Sequence, residues 1–214
     1  MKINVIYILT ISVFLSMVFF IDSNEFDKLL LDWMNQLIPS SLQEPMSFLT
    51  KLGSGEVMII LTLVLMGFLY FKREKLYALM LGVIVFGGLF LNLGLKLLFQ
   101  RERPGEIRYL EVFGQSFELA SYSFPSGHTM RTFLLFAFII YISYLFITKR
   151  AIRLMSYAIA VFCISVVALS RMILEAHYPS DIIAAISISI LWFIICIRVV
   201  PGLVRKYTRT QAPS

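Results

Sequence analysis

Six long apolar runs, at 3–21, 57–71, 76–99, 129–148, 152–174 and 182–200, limit what this chain can become. The hydrocarbon core of a bilayer takes about 20 apolar residues as a helix. Lipid offers no partner to a free backbone amide, so helix is the default spanning form. The runs lack the alternation over about ten residues that marks a membrane barrel. The expected fold is all-α: a polytopic membrane protein, a six-transmembrane-helix bundle forming one domain over 1–214. Composition agrees, with 59% apolar and 15% charged residues and a mean hydropathy of +0.84. A soluble domain is usually under about half apolar. The first run follows Met1 and Lys2 but has no small-x-small cleavage site after it, so it reads as a retained helix. Cys163 and Cys196 lie inside apolar runs without metal-ligand spacing and read as small buried hydrophobes.

The net charge of +6 is explained by where the charges fall. With the N-terminus cytoplasmic, the inner segments carry Lys2, Lys72, Arg73, Lys75, Lys149, Arg150, Arg153, Arg198, Arg205, Lys206 and Arg209. Against these eleven cations stands one acid, Glu74. The other side holds eight cations and twelve of the thirteen acids. The positive-inside rule favours this orientation, with both termini cytoplasmic in the plasma membrane. No nucleic-acid partner is needed to account for the charge, and no obligate protein partner is expected.

The outer segment, about 23–53, is amphipathic. Phe26, Leu29, Leu30, Trp33, Met34 and Leu37 share one helical face, with Lys28, Asp32, Asn35 and Gln36 opposite. Ser23 or Asn24 suits the cap and Pro39 the end. The stripe fits a helix lying on the outer membrane interface. The alternative is a helix packed on the bundle with no part in substrate entry.

Three helix ends on that outer side carry the chemistry. They are Lys96 with Arg103–Pro104, then Pro125–Ser126–Gly127–His128, then Ser170–Arg171 with His177 and Asp181. Both histidines of the chain are among them. Ionisable groups beside a membrane span are costly and mark function by default. Three cations brought together repel unless an anion joins them, and phosphate matches their charge and fork geometry. Pro125–Ser126–Gly127 opens a helix whose free N–H groups suit an anion, Ser126 serving as cap, phosphate donor or both. Gly127 would let the backbone come close to the phosphate. Asp181 stands in the first turn of the last helix, one turn from His177. It can hold one ring nitrogen and leave the other free to attack. Arg131, one turn beyond His128, is a further candidate for the surroundings of the phosphate. Arg101, Glu102, Glu106, Arg108, Glu111 and Glu118 read as a solvated loop.

These blocks resemble the type 2 phosphatidic acid phosphatase (PAP2) superfamily, with its pattern KxxxxxxRP, PSGH and SRxxxxxHxxxD. Every fixed position is met between Lys96 and Asp181. Within that family the chain looks most like bacterial membrane members that act on phosphatidylglycerol phosphate or undecaprenyl diphosphate. The resemblance implies hydrolysis of a membrane lipid phosphate, phosphatidic acid included, through a phosphohistidine at His177. Asp181 would orient it and His128 would act as general acid and base. Lys96, Arg103, Ser126, Gly127 and Arg171 would hold the phosphoryl oxygens. No metal and no other cofactor is implied. Glu175, between Arg171 and His177, departs from the small residue expected there. Two alternatives remain: a dedicated undecaprenyl diphosphate phosphatase, and a phosphate-lipid transporter without turnover. An Asp at the position of Gly127 would suit the former better, and the latter would not need His128, His177 and Asp181 together.

Overall fold

The structure, a computed structural model, describes residues 10, 11, 13–15, 25–104, 110–112, 115–117 and 122–210. Of the first apolar run only the helical residues 10, 11 and 13–15 are therefore included. Ser23, Asn24, Glu106, Arg108 and Glu118 lie outside the described residues.

After those helical residues the described chain continues as α1 (Glu25–Leu37), a short turn of 3-10 helix (Ser40–Leu42), α2 (Gln43–Leu49) and a second 3-10 turn (Thr50–Gly53). Long helices follow: α3 (Gly55–Phe71), α4 (Lys75–Phe99), α5 (Gly127–Phe146), α6 (Arg150–Ile173) and α7 (Pro179–Thr210). Between α4 and α5 a two-stranded antiparallel hairpin pairs β1 (Leu110–Val112) with β2 (Gln115–Phe117). This hairpin is the one addition to the expected helical architecture among the described residues. Among the described residues, four helices are long and apolar enough to cross a membrane, or five if the bent pair Ser40–Gly53 and Gly55–Phe71 counts as one span. The protein is thus a multi-pass helical membrane protein.

Its core is a seam of Met58, Met80, Leu81, Ile84, Met130, Leu134, Phe138 and Ala185. α5 runs through the middle and packs on α3, α4, α6 and α7. Gly88 sets the closest approach: a Cβ there would come within 2.2 Å of Leu134 Cδ1. Small residues let helix backbones meet in lipid, where apolar burial alone gives little drive. Trp192 on α7 lies across this seam and donates its indole N–H to the Ile84 carbonyl at 2.9 Å. Outside the seam, Phe68, Phe90, Leu98 and Phe162 are exposed, as lipid-facing residues are.

Chain reversals place all polar motifs at one end. α4 stops at Gln100, whose left-handed backbone (φ 45°) closes on the Lys96 carbonyl. That turn sends Arg101 and Arg103 back over the bundle. α6 ends before Glu175, also left-handed (φ 49°), which leads directly into His177 and α7.

Candidate active site

At this end the helix termini of α4, α5, α6 and α7 converge. Ser126 caps α5, accepting from the Thr129 amide and meeting the Thr129 hydroxyl at 3.0 Å. Its own amide donates to the Asp181 carbonyl at 3.2 Å, joining α5 to the start of α7. Asn92 reaches across from α4 to donate to the Pro125 carbonyl at 3.1 Å. The space at Gly127 is bounded by these neighbours: a Cβ there would meet Asn92 Oδ1 at 3.0 Å and Arg131 Nη1 at 3.3 Å.

His177 is 1% exposed and Asp181 fully buried. Nδ1 of His177 faces Asp181 Oδ2 at 3.4 Å. That is longer than a well-formed hydrogen bond, and such contacts tighten in the reacting complex. The Tyr178 amide donates to the same Oδ2 at 2.9 Å. Burial, followed by the positive charges of Lys96, Arg103 and Arg171, holds His177 well below its ordinary pKa, while the Ser123 backbone opposes this. The ring is therefore neutral at pH 7, with a lone pair available.

The cations surround this pair. Lys96 is 6% exposed although it ends an apolar helix. Its ammonium donates to the Tyr122 and Ser123 carbonyls and feels the charges of Arg103, Asp181, Arg131 and Arg171. Arg103 donates to the Ala176 carbonyl at 3.1 Å. Arg171 is 5% exposed and donates to Thr50 Oγ1 at 3.1 Å. His128 lies within electrostatic reach of Arg171, Arg131, His177 and Arg103. Lys96, Arg103, Ser126, Gly127, His128, Arg171, His177 and Asp181, separated along the chain, thus share one place.

Arg101 departs from the sequence-based expectation. It is not a solvated loop residue but 5% exposed. One arm of its guanidinium donates to Asp181 Oδ1 at 2.7 Å and the other to Asp27 Oδ2 at 2.7 Å. Burying that charge is tolerable because both arms meet carboxylates. Glu102, beside it, is exposed as expected.

The segment 25–53 also holds more than an apolar stripe. Phe26, Leu29, Trp33 and Leu37 are exposed, while Asp27 and Leu31 turn into the protein. Asn35 donates to Glu175 Oε1 at 2.9 Å. The Gly53 carbonyl accepts from Arg131 Nη2 at 3.2 Å. Gly53 itself allows no side chain: a Cβ would sit 2.7 Å from Val167 Cγ1 and 3.0 Å from Thr132 Oγ1. Asp27, Thr50, Gly53, Asn92 and Arg101 were not singled out by the sequence motifs. One signal was present for Asp27, which begins the stripe Asp27, Leu30, Leu31, Met34, Ile38 as its only charge.

The fold is that of a multi-pass helical protein with cations gathered around a buried His–Asp pair at one end. The chain belongs to the PAP2 superfamily, whose family model matches residues 76–205. Phosphatidylglycerophosphatase B of Bacillus subtilis (strain 168) is 30% identical over 156 residues, which is 71% of this chain and 72% of that protein. The crystal structure of the first transmembrane PAP2 type phosphatidylglycerolphosphate phosphatase from Bacillus subtilis superposes with a TM-score of 0.68. It covers 92% of this chain and 96% of that one at 23% identity. The crystal structure of Aquifex aeolicus LpxE gives a TM-score of 0.56 at 24% identity, over 79% of this chain and 93% of that one. At these identities the superpositions establish the fold.

Proposed function

We propose that the protein is a metal-independent lipid phosphate phosphatase working through a phosphohistidine at His177. The observation that carries this is a buried imidazole beside a buried carboxylate, inside a ring of three cations. Nδ1 of His177 faces Asp181, which leaves Nε2 as the attacking atom. Nε2 forms a bond to phosphorus as the bond to the lipid oxygen breaks. The positive charge that develops on the ring is balanced by Asp181. His128 gives its proton to the departing lipid oxygen, then takes one from the water that attacks the phosphohistidine. That second displacement releases inorganic phosphate and restores neutral His177.

Lys96, Arg103 and Arg171, with Ser126 and the amides opening α5, stabilise the equatorial oxygens of both transition states. This is the electrostatic work that Mg²⁺ performs in other phosphoryl-transfer sites. The substrate we favour is phosphatidylglycerol phosphate, which fits the name of the Bacillus subtilis relative. The charge distribution supports a site on the outer face, cytoplasmic termini and a sixth span at 3–21. The exposed apolar stripe of α1 supports its lying on the outer interface.

The test is phosphate release by purified protein in EDTA, from phosphatidylglycerol phosphate, phosphatidic acid, undecaprenyl diphosphate and glucose 6-phosphate. Release from the lipids, with a base-stable, acid-labile phosphoprotein absent in His177→Ala, is expected. A requirement for added Mg²⁺, or full activity in His177→Ala, would refute this mechanism.

A further inference from the structure

The carboxylate beside His177 has a second partner that the reaction as described does not use. Arg101 is buried together with both its carboxylates: side-chain exposure is 3% for Arg101, 4% for Asp27 and 0% for Asp181. Nη1 serves Asp181 Oδ1 and Ser180 Oγ, each at 2.7 Å. Nη2 serves Asp27 at 2.7 Å. Asp27 in turn accepts from the Ser180 amide at 3.0 Å and from the Ser180 hydroxyl. The Tyr178 ring lies 4.3 Å from the guanidinium carbon and closes the last side.

A guanidinium normally grips a carboxylate with two parallel N–H bonds. Here the second arm is turned to Asp27 instead. Asp181 therefore receives one bond on Oδ1, and Oδ2 stays turned towards the Tyr178 amide and His177. Charge follows geometry. One cation shared between two carboxylates leaves negative charge over to meet an imidazole that becomes positive during reaction.

We propose that Asp27 and Arg101 are positioning residues for the Asp181–His177 pair, so that helix α1 completes the active site rather than merely covering it. Three further contacts bind the same segment to the site: Thr50 to Arg171, the Gly53 carbonyl to Arg131, and Asn35 to Glu175. This proposal rests on His177 being the nucleophile.

The two residues carry opposite charge, and this separates positioning from simple support of the fold. His177 is faced by Lys96, Arg103, Arg171, His128 and Asp181. Removing the Asp27 charge leaves Arg101 less compensated and disfavours imidazolium. The acid limb of kcat/KM then moves to lower pH. Removing the Arg101 charge moves it to higher pH. The substrate's own ionisation near about 6 is common to every variant and cancels.

The experiment compares full-length wild type, Asp27→Asn, Arg101→Gln, Arg101→Lys and His177→Ala on phosphatidylglycerol phosphate in detergent. It reads kcat, KM, the pH profile and the melting temperature. Asp27→Asn and Arg101→Gln are each expected to lose roughly 10- to 100-fold in kcat with little change in KM. Their acid limbs should shift in opposite directions. Arg101→Lys should keep the limb of the wild type while losing part of kcat, because an ammonium cannot fork. Should Arg101→Gln fail to fold, the isosteric Asp27→Asn decides alone. Unshifted limbs and near-wild-type kcat in these variants, with His177→Ala inactive, overturn the proposal and leave the nucleophile standing. An active His177→Ala overturns the underlying mechanism itself.

Discussion

The two ends of the bundle use the same residue types in opposite ways. At the end bearing His177, Lys96, Arg101 and Arg171 are nearly buried and matched to carboxylates, carbonyls and a hydroxyl. At the far end Lys72 and Lys75 rest over the rings of Phe68 and Tyr70, and Arg153 over Tyr144. A cleft of about 480 Å³ opens there, lined largely by Phe68, Leu69, Ile142, Phe146 and Ile147. The far-end cations Lys72, Lys75 and Lys149 are exposed. Those at the site end have given up water, which raises the worth of each interaction they make. A lysine or arginine at the site end is informative by its burial.

The sharpest break of this comparison is His177→Ala. We expect at least about a thousandfold loss of phosphate release with the melting temperature retained, measured in detergent. Lys96→Met should cost roughly 100-fold in kcat/KM, since one preorganised cation opposite the developing charge is removed. Gly53→Leu should displace the turn 50–53 from Val167 and Thr132. It should lower thermal stability by about 1–3 kcal/mol, read by melting, with activity falling alongside. pH gives a gentler probe. His177 reacts as the neutral ring and its pKa lies below the ordinary value of about 6.5. The rate due to this group should stay flat at pH 7 and fall only as pH drops well under that value. An acid limb centred above pH 6.5 would contradict the burial of the ring. The smallest effect belongs to the far end: Lys72→Gln should leave kcat and KM within about twofold, as surface charge changes usually do.

Much of the site was legible because its parts sit at helix ends with fixed spacing. Lys96 and Arg103 flank the turn at Gln100, Ser126 and His128 open α5, and His177 and Asp181 straddle the start of α7. Those patterns are local, so a chain read in one dimension displays them. Arg101 was misread because Arg101–Glu102–Arg103 alternates in sign like any wet loop. Its partners are 74 and 80 residues away, and no local pattern points to them. Gly53 escaped notice for a similar reason, since its need for a bare backbone arises from Val167 on a distant helix. The helical class followed from hydropathy alone. The hairpin of β1 and β2 did not, lying in a loop that reads as polar and charged.

The Asp27–Arg101–Asp181 triad also has an order in time. A ribosome adding roughly 5–20 residues per second delivers Asp27 first. The 153 residues to Ser180 then occupy roughly eight to thirty seconds. Until Arg101 is made, 74 residues after Asp27, the early helix carries an acid with none of these neighbours. It can collect Arg101 after α4 emerges, but the third corner arrives only with α7. The closing of this triad is therefore a late assembly event, and a nascent chain halted before α7 would hold a half-made lock.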